Sequence, residues 1–298
     1  MGTSVPIFGC VEMNGLLMHE SVAVIIPTFN RKHSLGRALD SVYAQSVMPA
    51  EICVVDDGSN DGTDEFLRRN YPEVHYIFQA NQGVSAARNR GVRSTSSHWL
   101  AFLDSDDEWL PPNLELQLTA LASDPGYRLV HCDEIWIRCG VRVNPMRKHE
   151  KSGGQLFERC LPLCAISPSA VMMERSLLLE LGGFDESLPA CEDYDLWLKI
   201  CSRYPVLYID KALLNKYGGH EDQLSRQHWG MDRFRVKALD NILKSKVLNS
   251  EQYRAAKAML IKKSEILKNG ANKRRNKESE MFYQQLIDKY SPSTGASN

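Results

Sequence analysis

The sequence predicts an α/β fold with a doubly wound, mostly parallel sheet and a helical C-terminal appendage. Four short apolar runs are rich in β-branched and aromatic residues, which is typical of strands buried on both faces. Segments of helical pattern separate these runs, and this alternation predicts parallel strands covered by helices. Acidic residues follow the second and fourth runs. Because such sheets bind ligands at the carboxyl ends of their strands, we expect these acids to carry the function.

Strands and helices alternate in order through the first part of the chain. After the first strand, Leu35, Ala38, Leu39 and Val42 lie on one face of a helix whose expected N-cap is Ser34. A second helix is expected after the turn-rich DDGSNDG segment. The predicted strands are Ser21–Ile26, Glu51–Asp56, Val74–Phe78 and Trp99–Asp104, and the two further helices begin near Thr63 and span Val84–Gly91.

The second part of the chain has a less regular pattern. The predicted helices are Leu114–Leu121, Glu174–Leu181 and Asp193–Cys201, and the predicted strands are a short one ending at Asp133 and Val206–Ile209.

Composition divides the chain into three parts. Residues 1–20 form an N-terminal extension, residues 21–235 the α/β domain, and residues 236–298 a basic helical region with ten Lys and three Arg against six acidic residues. We interpret the last part as solvated helices packed on the α/β domain. The alternative interpretation is a peripheral membrane contact, since a basic amphipathic helix can lie on anionic lipid.

Charge and composition exclude several classes of protein. A formal net charge of −1 gives no general attraction to nucleic acid. The sequence contains no run of eighteen apolar residues, and its first twenty residues lack the pattern of a secretory signal. Eight scattered cysteines predict reduced thiols rather than a disulfide framework. We therefore expect a cytoplasmic protein, which the membrane interpretation would place at the inner face of the membrane.

Carboxylates gather at the predicted edge of the sheet. Asp104 and Asp106 are two residues apart in DSDDEW, so an extended backbone would direct them to the same side, and Asp56, Asp57 and Asp133 follow other strands. Grouped carboxylates repel one another unless a cation or a donor-rich ligand lies among them. Mg²⁺ and Mn²⁺ prefer oxygen ligands and bridge carboxylates to substrate phosphates. The predicted cofactor is therefore a divalent metal, Mn²⁺ or Mg²⁺.

An ordered series of motifs over residues 21–225 resembles family 2 of the inverting glycosyltransferases, which have the GT-A fold. The motifs are VAVIIPTFNR, LGRALDSVYAQS, EICVVDDGSNDGT, NQGVSAARNRGV, WLAFLDSDDEW, GGFDE, EDYDLWLKI and YGGHEDQLS. The resemblance implies transfer of a sugar from a nucleotide diphosphate sugar, with UDP favoured, to an acceptor hydroxyl. It also implies a glycan or lipid-linked acceptor, in the synthesis of surface polysaccharide or other glycans.

The same resemblance assigns roles on the donor side. It implies that Pro27 and Phe29 hold the nucleotide base and that Asp57 accepts a hydrogen bond from a base N–H. Arg88 would approach the base or the diphosphate, which suits a guanidinium fork. Asp104 would contact the ribose or a metal-bound water.

Metal binding and catalysis are assigned in the same way. Asp106 is the implied direct metal ligand, with Asp104 beside it and His220 reaching the metal or the diphosphate from a late loop. The sequence departs from the family at Gly218, where a basic residue often follows the tyrosine. Asp193 resembles the catalytic base, which accepts the proton of the acceptor hydroxyl, and Glu192 is the competing candidate.

Two further acids, Asp133 and Asp185, are expected to border the sugar and acceptor pockets. Two other functions stay open at this point. One is a catalytically degenerate module that binds a nucleotide sugar without turnover. The other is a nucleotidyltransferase, although such enzymes usually carry a glycine-rich basic loop where this chain has PTFNR. A processive synthase is disfavoured because the sequence lacks both spanning helices and a QxxRW-like motif.

Overall fold

A computed structural model of the protein describes residues 21–219, 228 and 230–291. It has the predicted α/β architecture, in which one mixed sheet is packed between helices and a helical C-terminal region follows. The strand order is β3-β2-β1-β4-β8-β6-β9-β5, and β7 pairs with β6 at the side. The strands are β1 Val22–Thr28, β2 Glu51–Asp56, β3 His75–Phe78, β4 Trp99–Phe102, β5 Glu108–Trp109, β6 Leu129–Arg138, β7 Val141–Val143, β8 Val171–Glu174 and β9 Leu207–Gly218.

The N-terminal half of the sheet is parallel, as predicted. β1 pairs in parallel with β2 and with β4, and β2 pairs in parallel with β3. Buried residues throughout β1 explain why its sequence is a continuous apolar run. The helices of this half are α1 Lys32–Tyr43, α2 Thr63–Asn70 and α3 Val84–Arg93. α3 packs closely on the sheet, since a Cβ at Gly91 would lie 2.5 Å from Cγ2 of Ile25.

The expected N-cap of α1 is wrong. The helix begins at Lys32, and Ser34 is a buried residue of its first turn whose hydroxyl donates to the carbonyl of Arg31. The backbone N–H of Lys32 instead donates to Oδ2 of Asp61, 2.9 Å away, in the loop before α2. An acceptor from a different loop therefore serves this helix end, and local sequence alone did not indicate it.

The second half of the sheet is mixed. β8 lies antiparallel between β4 and β6, whereas β6 and β9 run parallel to each other. β6 and β9 both extend well past their predicted ends, with a bulge in the pairing at Asp133. The helices of this half are α4 Asn113–Ser123, α5 Phe157–Cys160, α6 Arg175–Glu180 and α7 Glu192–Cys201.

Strand register explains which residues meet at the functional edge. Ala101 of β4 pairs with Met172 of β8, which pairs with Val130 of β6. Three residues further along this register, Asp104 lies level with Asp133. The N–H of Asp104 donates to the hydroxyl of Ser169, which lies between the two acids (3.1 Å). The acids that follow separate strands in the sequence thus share one edge of the sheet.

The C-terminal region packs on the α/β part through a common core. Its helices are α8 Asp232–Lys244, α9 Ser250–Lys273 and α10 Lys277–Tyr290. Leu239 of α8, Leu260 of α9 and Tyr283 of α10 are buried in the cluster that also contains Trp197 of α7. α9 begins with a capping box at Asn249. Among the described residues, every helix is too short or too polar to span a bilayer.

Candidate active site

Arg88 is the buried centre of the site. Its Nη2 lies 2.7 Å from Oδ1 of Asp104, and its Nη1 lies 2.6 Å from Oε1 of Glu192. Only 3% of the Arg88 side chain is exposed, against 27% for Asp104. Burial acts to raise the pKa of Asp104, but the charges of Arg88, Lys216 and Arg31, together with the hydrogen bond from Arg88, outweigh it and lower that pKa. Asp104 is therefore ionised and offers its outer oxygen to the cleft.

Asp57 organises the loop that leads into α3. Its Oδ1 accepts hydrogen bonds from Nε2 of Gln79 (2.7 Å) and from the N–H of Gln82 (3.0 Å), and its Oδ2 accepts from the N–H of Gly83 (2.7 Å). Gly83 has a φ of +93°, which an L side chain would strain. Asp57 therefore fixes the turn from which Arg88 is presented.

Pro27 and Phe29 lie where β1 ends. Pro27 is buried in the strand, whereas the Phe29 ring is 47% exposed and so available for stacking. Asn30 follows with a φ of +51°, and its Oδ1 accepts from the N–H of Asn60 in the next loop (2.9 Å). The loops after β1 and β2 are thus tied to each other beside the Phe29 ring.

Basic residues of α1 and its N-terminus contact Asp106. Nη1 of Arg31 lies 3.1 Å from Oδ2 of Asp106. Nη2 of Arg37 donates to the Asp106 carbonyl (2.6 Å), and the Arg37 guanidinium stacks 3.7 Å above the Tyr217 ring. These contacts hold the Asp-x-Asp segment against α1 and leave Asp106 partly exposed.

Asp107, in the segment between β4 and β5, lies beside Lys216 of β9. Oδ2 of buried Asp107 accepts from the Ser169 hydroxyl (2.7 Å), and its Oδ1 accepts from the N–H of Tyr217 (2.9 Å). Nζ of Lys216 lies 3.8 Å from Oδ2 of Asp107. Burial raises the pKa of Asp107 to about 7, although Lys216 acts in the opposite direction.

The two candidate bases, Glu192 and Asp193, are the first two residues of α7, but their surroundings differ. Glu192 is buried and paired with Arg88, so its carboxylate serves as an internal counter-ion. Asp193 is only partly buried, and its Oδ2 accepts a hydrogen bond from Sγ of Cys164 at 3.0 Å. Between these two acids, the geometry favours Asp193 as a base.

The loop that carries Cys164 is fixed by the core face of α7. The hydroxyl of Tyr194 donates to the carbonyl of Leu161 (2.7 Å), and Nε1 of Trp197 donates to the carbonyl of Ile166 (2.9 Å). Burial, together with the charge of Asp193, raises the pKa of the Cys164 thiol well above its ordinary range. The thiol is therefore a neutral donor beside Asp193. The seven cysteines of the described residues are free thiols.

The remaining predicted residues have different surroundings. Asp133 lies half-buried at the bulge of β6, level with Asp104. Asp185 accepts from the N–H and the hydroxyl of Ser187, and within the described residues no contact joins it to the other acids. This turn places Asp185 apart from the carboxylate cluster. His220 lies outside the described residues.

The oxygen ligands at the edge are chemically suitable for Mg²⁺ or Mn²⁺ but few in number. Asp106 is the partly exposed carboxylate that would hold the ion, with the donor phosphates supplying further oxygens. Within the described ranges, no group of three or more His, Cys, Asp or Glu side chains is arranged around a metal position.

Sequence reasoning missed three residues of this site: Arg31, Cys164 and Lys216. Arg31 follows the PTFN segment directly, so its position at a strand end was a usable signal. Cys164 and Lys216 lie in segments without a chemical motif, and only the folded chain brings them to the acids.

Comparison with known proteins shows the family of the chain. A family model described as glycosyl transferase family 2 matches residues 23–182, and one described as glycosyltransferase like family 2 matches residues 157–241. The chain belongs to glycosyl transferase family 2. An uncharacterized glycosyltransferase of Rickettsia felis is 30% identical over 206 residues, which are 66% of this chain and 33% of that protein. Across the first curated relatives, the chain spans between 31% and 65% of their length.

Solved structures share the fold at low sequence identity. The crystal structure of Staphylococcus aureus TarS 1-349 in complex with UDP-GlcNAc has a TM-score of 0.72 at 17% identity, covering 91% of this chain and 82% of that one. The mannosyltransferase PcManGT from Pyrobaculum calidifontis, in complex with GDP-Man and Mn²⁺, has a TM-score of 0.56 at 19% identity, covering 90% and 84%. The predicted family and the predicted GT-A fold are confirmed, and with them the prediction of a glycosyltransferase at the level of the family.

Proposed function

We propose that this protein is an inverting glycosyltransferase that moves a sugar from a nucleotide diphosphate sugar to an acceptor hydroxyl. The observation that carries the proposal is the position of Asp193. Through Arg88, the helix that begins with Glu192 and Asp193 is joined to Asp104 at the sheet edge. Arg88 therefore holds the donor-side carboxylate Asp104 on one arm and Glu192, the residue next to the proposed base, on the other.

The donor would lie along the carboxyl ends of β1, β2 and β4. The exposed Phe29 ring offers a stacking surface for the base, and the loop fixed by Asp57 closes the same side. Asp104 would accept from a ribose hydroxyl or a metal-bound water. Because its inner oxygen is held by Arg88, the carboxylate is oriented before the donor binds.

The acceptor would approach from the side of α7. Asp193 would accept the hydroxyl proton while that oxygen attacks the anomeric carbon from the face opposite the diphosphate. A single displacement of this kind inverts the anomeric configuration, as in inverting glycosidases with a sugar hydroxyl in place of water. Glu192 would orient the site through Arg88 rather than take the proton.

Asp106 would hold the divalent metal. When bound, such an ion neutralises charge on the departing nucleoside diphosphate. PcManGT was crystallised with Mn²⁺, which supports Mn²⁺ or Mg²⁺ as the ion here. The salt bridge from Arg31, at 3.1 Å, would hold this carboxylate in place.

A UDP-sugar is the favoured donor, since TarS was crystallised with UDP-GlcNAc and GDP-Man is the alternative that PcManGT suggests. The acceptor would be a glycan or a lipid-linked glycan, in surface polysaccharide or glycan synthesis. The basic C-terminal helices, which we place in the cytoplasm, would bring the enzyme to such an acceptor at the inner face of the membrane. The proposed organisation is an extension over residues 1–20, a GT-A domain over 21–235 and the helical region beyond it.

Purified full-length protein and a panel of nucleotide sugars test the proposal. With Mn²⁺ present, one donor should raise the melting temperature and be slowly hydrolysed. Asp193→Asn should keep the melting shift and lose the hydrolysis, whereas Asp124→Asn, in the exposed turn after α4, should change neither. Binding without turnover by the wild type, with acceptor supplied, would instead identify a degenerate module.

A nucleotidyltransferase would release different products in the same assay. Such an enzyme would release pyrophosphate from a nucleoside triphosphate and a sugar phosphate. That result would contradict the proposal.

A further inference from the structure

Lys216 lies among the acids of the site but forms no close bond with any of them. It sits on β9 opposite Trp136 of β6, with 22% of its side chain exposed. Its one described ion pair is to Asp107, at 3.8 Å, which is too long for a hydrogen bond. Within the described part of the chain, the three N–H groups of this ammonium have no hydrogen-bond acceptor.

The neighbouring carboxylates already have closer partners. Asp104 is bound by Arg88 at 2.7 Å and Asp106 by Arg31 at 3.1 Å. Buried Glu134, on β6, accepts from Nε1 of Trp136 at 2.7 Å. Another lysine, Lys151, also pairs with Glu134 at 3.3 Å. Each of these acids thus has a closer partner than Lys216 on one oxygen, although buried Oε2 of Glu134 has none among the described residues. Their charges together favour a cation at this place.

The negative charges of the surrounding acids keep Lys216 protonated. Burial acts to lower its pKa, but Asp107, Glu134, Asp104 and Asp106 together raise it above the ordinary lysine value. A permanently charged ammonium with unused donors, open to the cleft beside the donor-side carboxylates, is a suitable partner for a phosphate oxygen.

We propose that Lys216 binds the diphosphate of the nucleotide-sugar donor and neutralises negative charge on the leaving nucleoside diphosphate. This inference rests on the proposed function, because it assigns a residue to that donor site. The segment that follows, Tyr217, Gly218 and Gly219, carries no basic side chain. Lys216, on β9, therefore supplies a positive charge that these three residues lack.

A purely structural role would make Lys216 the counter-ion of Asp107. The geometry disfavours this role, because Asp107 accepts from Ser169 at 2.7 Å and from the N–H of Tyr217 at 2.9 Å, both much closer than the ammonium. Removing the charge of Asp107 separates the two roles experimentally. A counter-ion becomes unnecessary when its acid is neutralised, whereas a phosphate ligand does not.

Calorimetric titration with UDP, GDP and uridine, in the presence of Mg²⁺, provides the test. Lys216→Met should weaken binding of the diphosphate by about tenfold or more, the effect of one charge-assisted hydrogen bond, and leave binding of uridine unchanged. Lys216→Arg should restore part of the affinity. The double variant Asp107→Asn/Lys216→Met should remain as weak as Lys216→Met.

The outcomes discriminate between the two proposals. If the wild type binds UDP or GDP and Lys216→Met binds it equally well, the assignment of Lys216 is overturned while the proposed function stands. Recovery of affinity in the double variant would also overturn it, in favour of the counter-ion role. If the wild type binds neither nucleoside diphosphate, the proposed function fails and the assignment fails with it. Should Lys216→Met not fold, the double variant, which lacks the uncompensated acid, is compared with Asp107→Asn.

Discussion

Nη1 of Arg88 lies 2.6 Å from Oε1 of Glu192, and both side chains are almost fully buried. This ion pair joins α3 of the parallel half of the sheet to the first residue of α7. Because the other arm of the guanidinium binds Asp104, movement of either helix would disturb the carboxylate at the sheet edge. The pair therefore couples the packing of two helices to the geometry of the cleft.

Replacing Arg88 is expected to cost both stability and activity. Arg88→Met would leave Glu192 buried without its counter-ion, so the free energy of unfolding should fall by about 3–5 kcal/mol. Arg88→Lys should fold better but lose most of the activity, because a single ammonium cannot bridge two carboxylates as a fork does. Urea unfolding and donor hydrolysis measure the two effects. Arg90→Met, at an exposed position of the same helix, is the control, and an equal effect at both positions would refute the coupling.

The parallel half of the fold was predictable because its signals are local. β1, β2, β3 and β4 are apolar runs with turn residues between them, and each was found within two residues of its observed ends. The acids at their ends followed from the rule that parallel strands present one common edge. Hence Asp104 and Asp106 were placed at this edge from sequence alone.

The mixed half was less predictable because its pairings join distant segments. β8 lies directly before α6, and the predicted helix began at Glu174, the last residue of that strand. β6 was predicted to end at Asp133, yet the five residues that follow, 134–138, continue the strand because they pair with β9. Lys216 and Cys164 join the site only through these long-range arrangements, so no local pattern marked them.

Cys164 is expected to position Asp193. Its thiol donates to Oδ2 of Asp193 at 3.0 Å. Cys164→Ala should lower kcat by about two- to tenfold, the effect of one hydrogen bond, because Asp193 loses the donor that orients it. Cys164→Ser, which keeps a donor, should retain most of the wild-type kcat. Steady-state kinetics with saturating donor measure both effects.

The exposed Cys139 supplies a matched control for that series. Cys139→Ala should leave kcat unchanged. If Cys164→Ser lost as much kcat as Cys164→Ala, the side chain would act through packing and its proposed role in orienting Asp193 would be refuted.

His131 is expected to make the fold sensitive to acid. The ring projects from β6 and is buried. Its Nε2 donates to the carbonyl of Ser152 at 2.8 Å, and its Nδ1 has no partner among the described residues. Burial, with the charge of Lys151, lowers the pKa of His131 to about 4. The folded state therefore resists protonation that the unfolded chain accepts at its ordinary pKa of about 6.5. Stability from this group is fully present above that value and is lost as pH falls toward 4.

Proton linkage gives the expected change in the free energy of unfolding with pH. Between pH 7 and pH 5.5 the free energy of unfolding should fall by about 1 kcal/mol on account of His131. In His131→Gln, which keeps a side-chain N–H but cannot be protonated, urea unfolding should show a correspondingly flatter dependence on pH. His75→Gln, at an exposed position of β3, should retain the wild-type slope. Equal slopes in wild type and His131→Gln would mean that His131 is already protonated, or accessible to protons, in the folded protein.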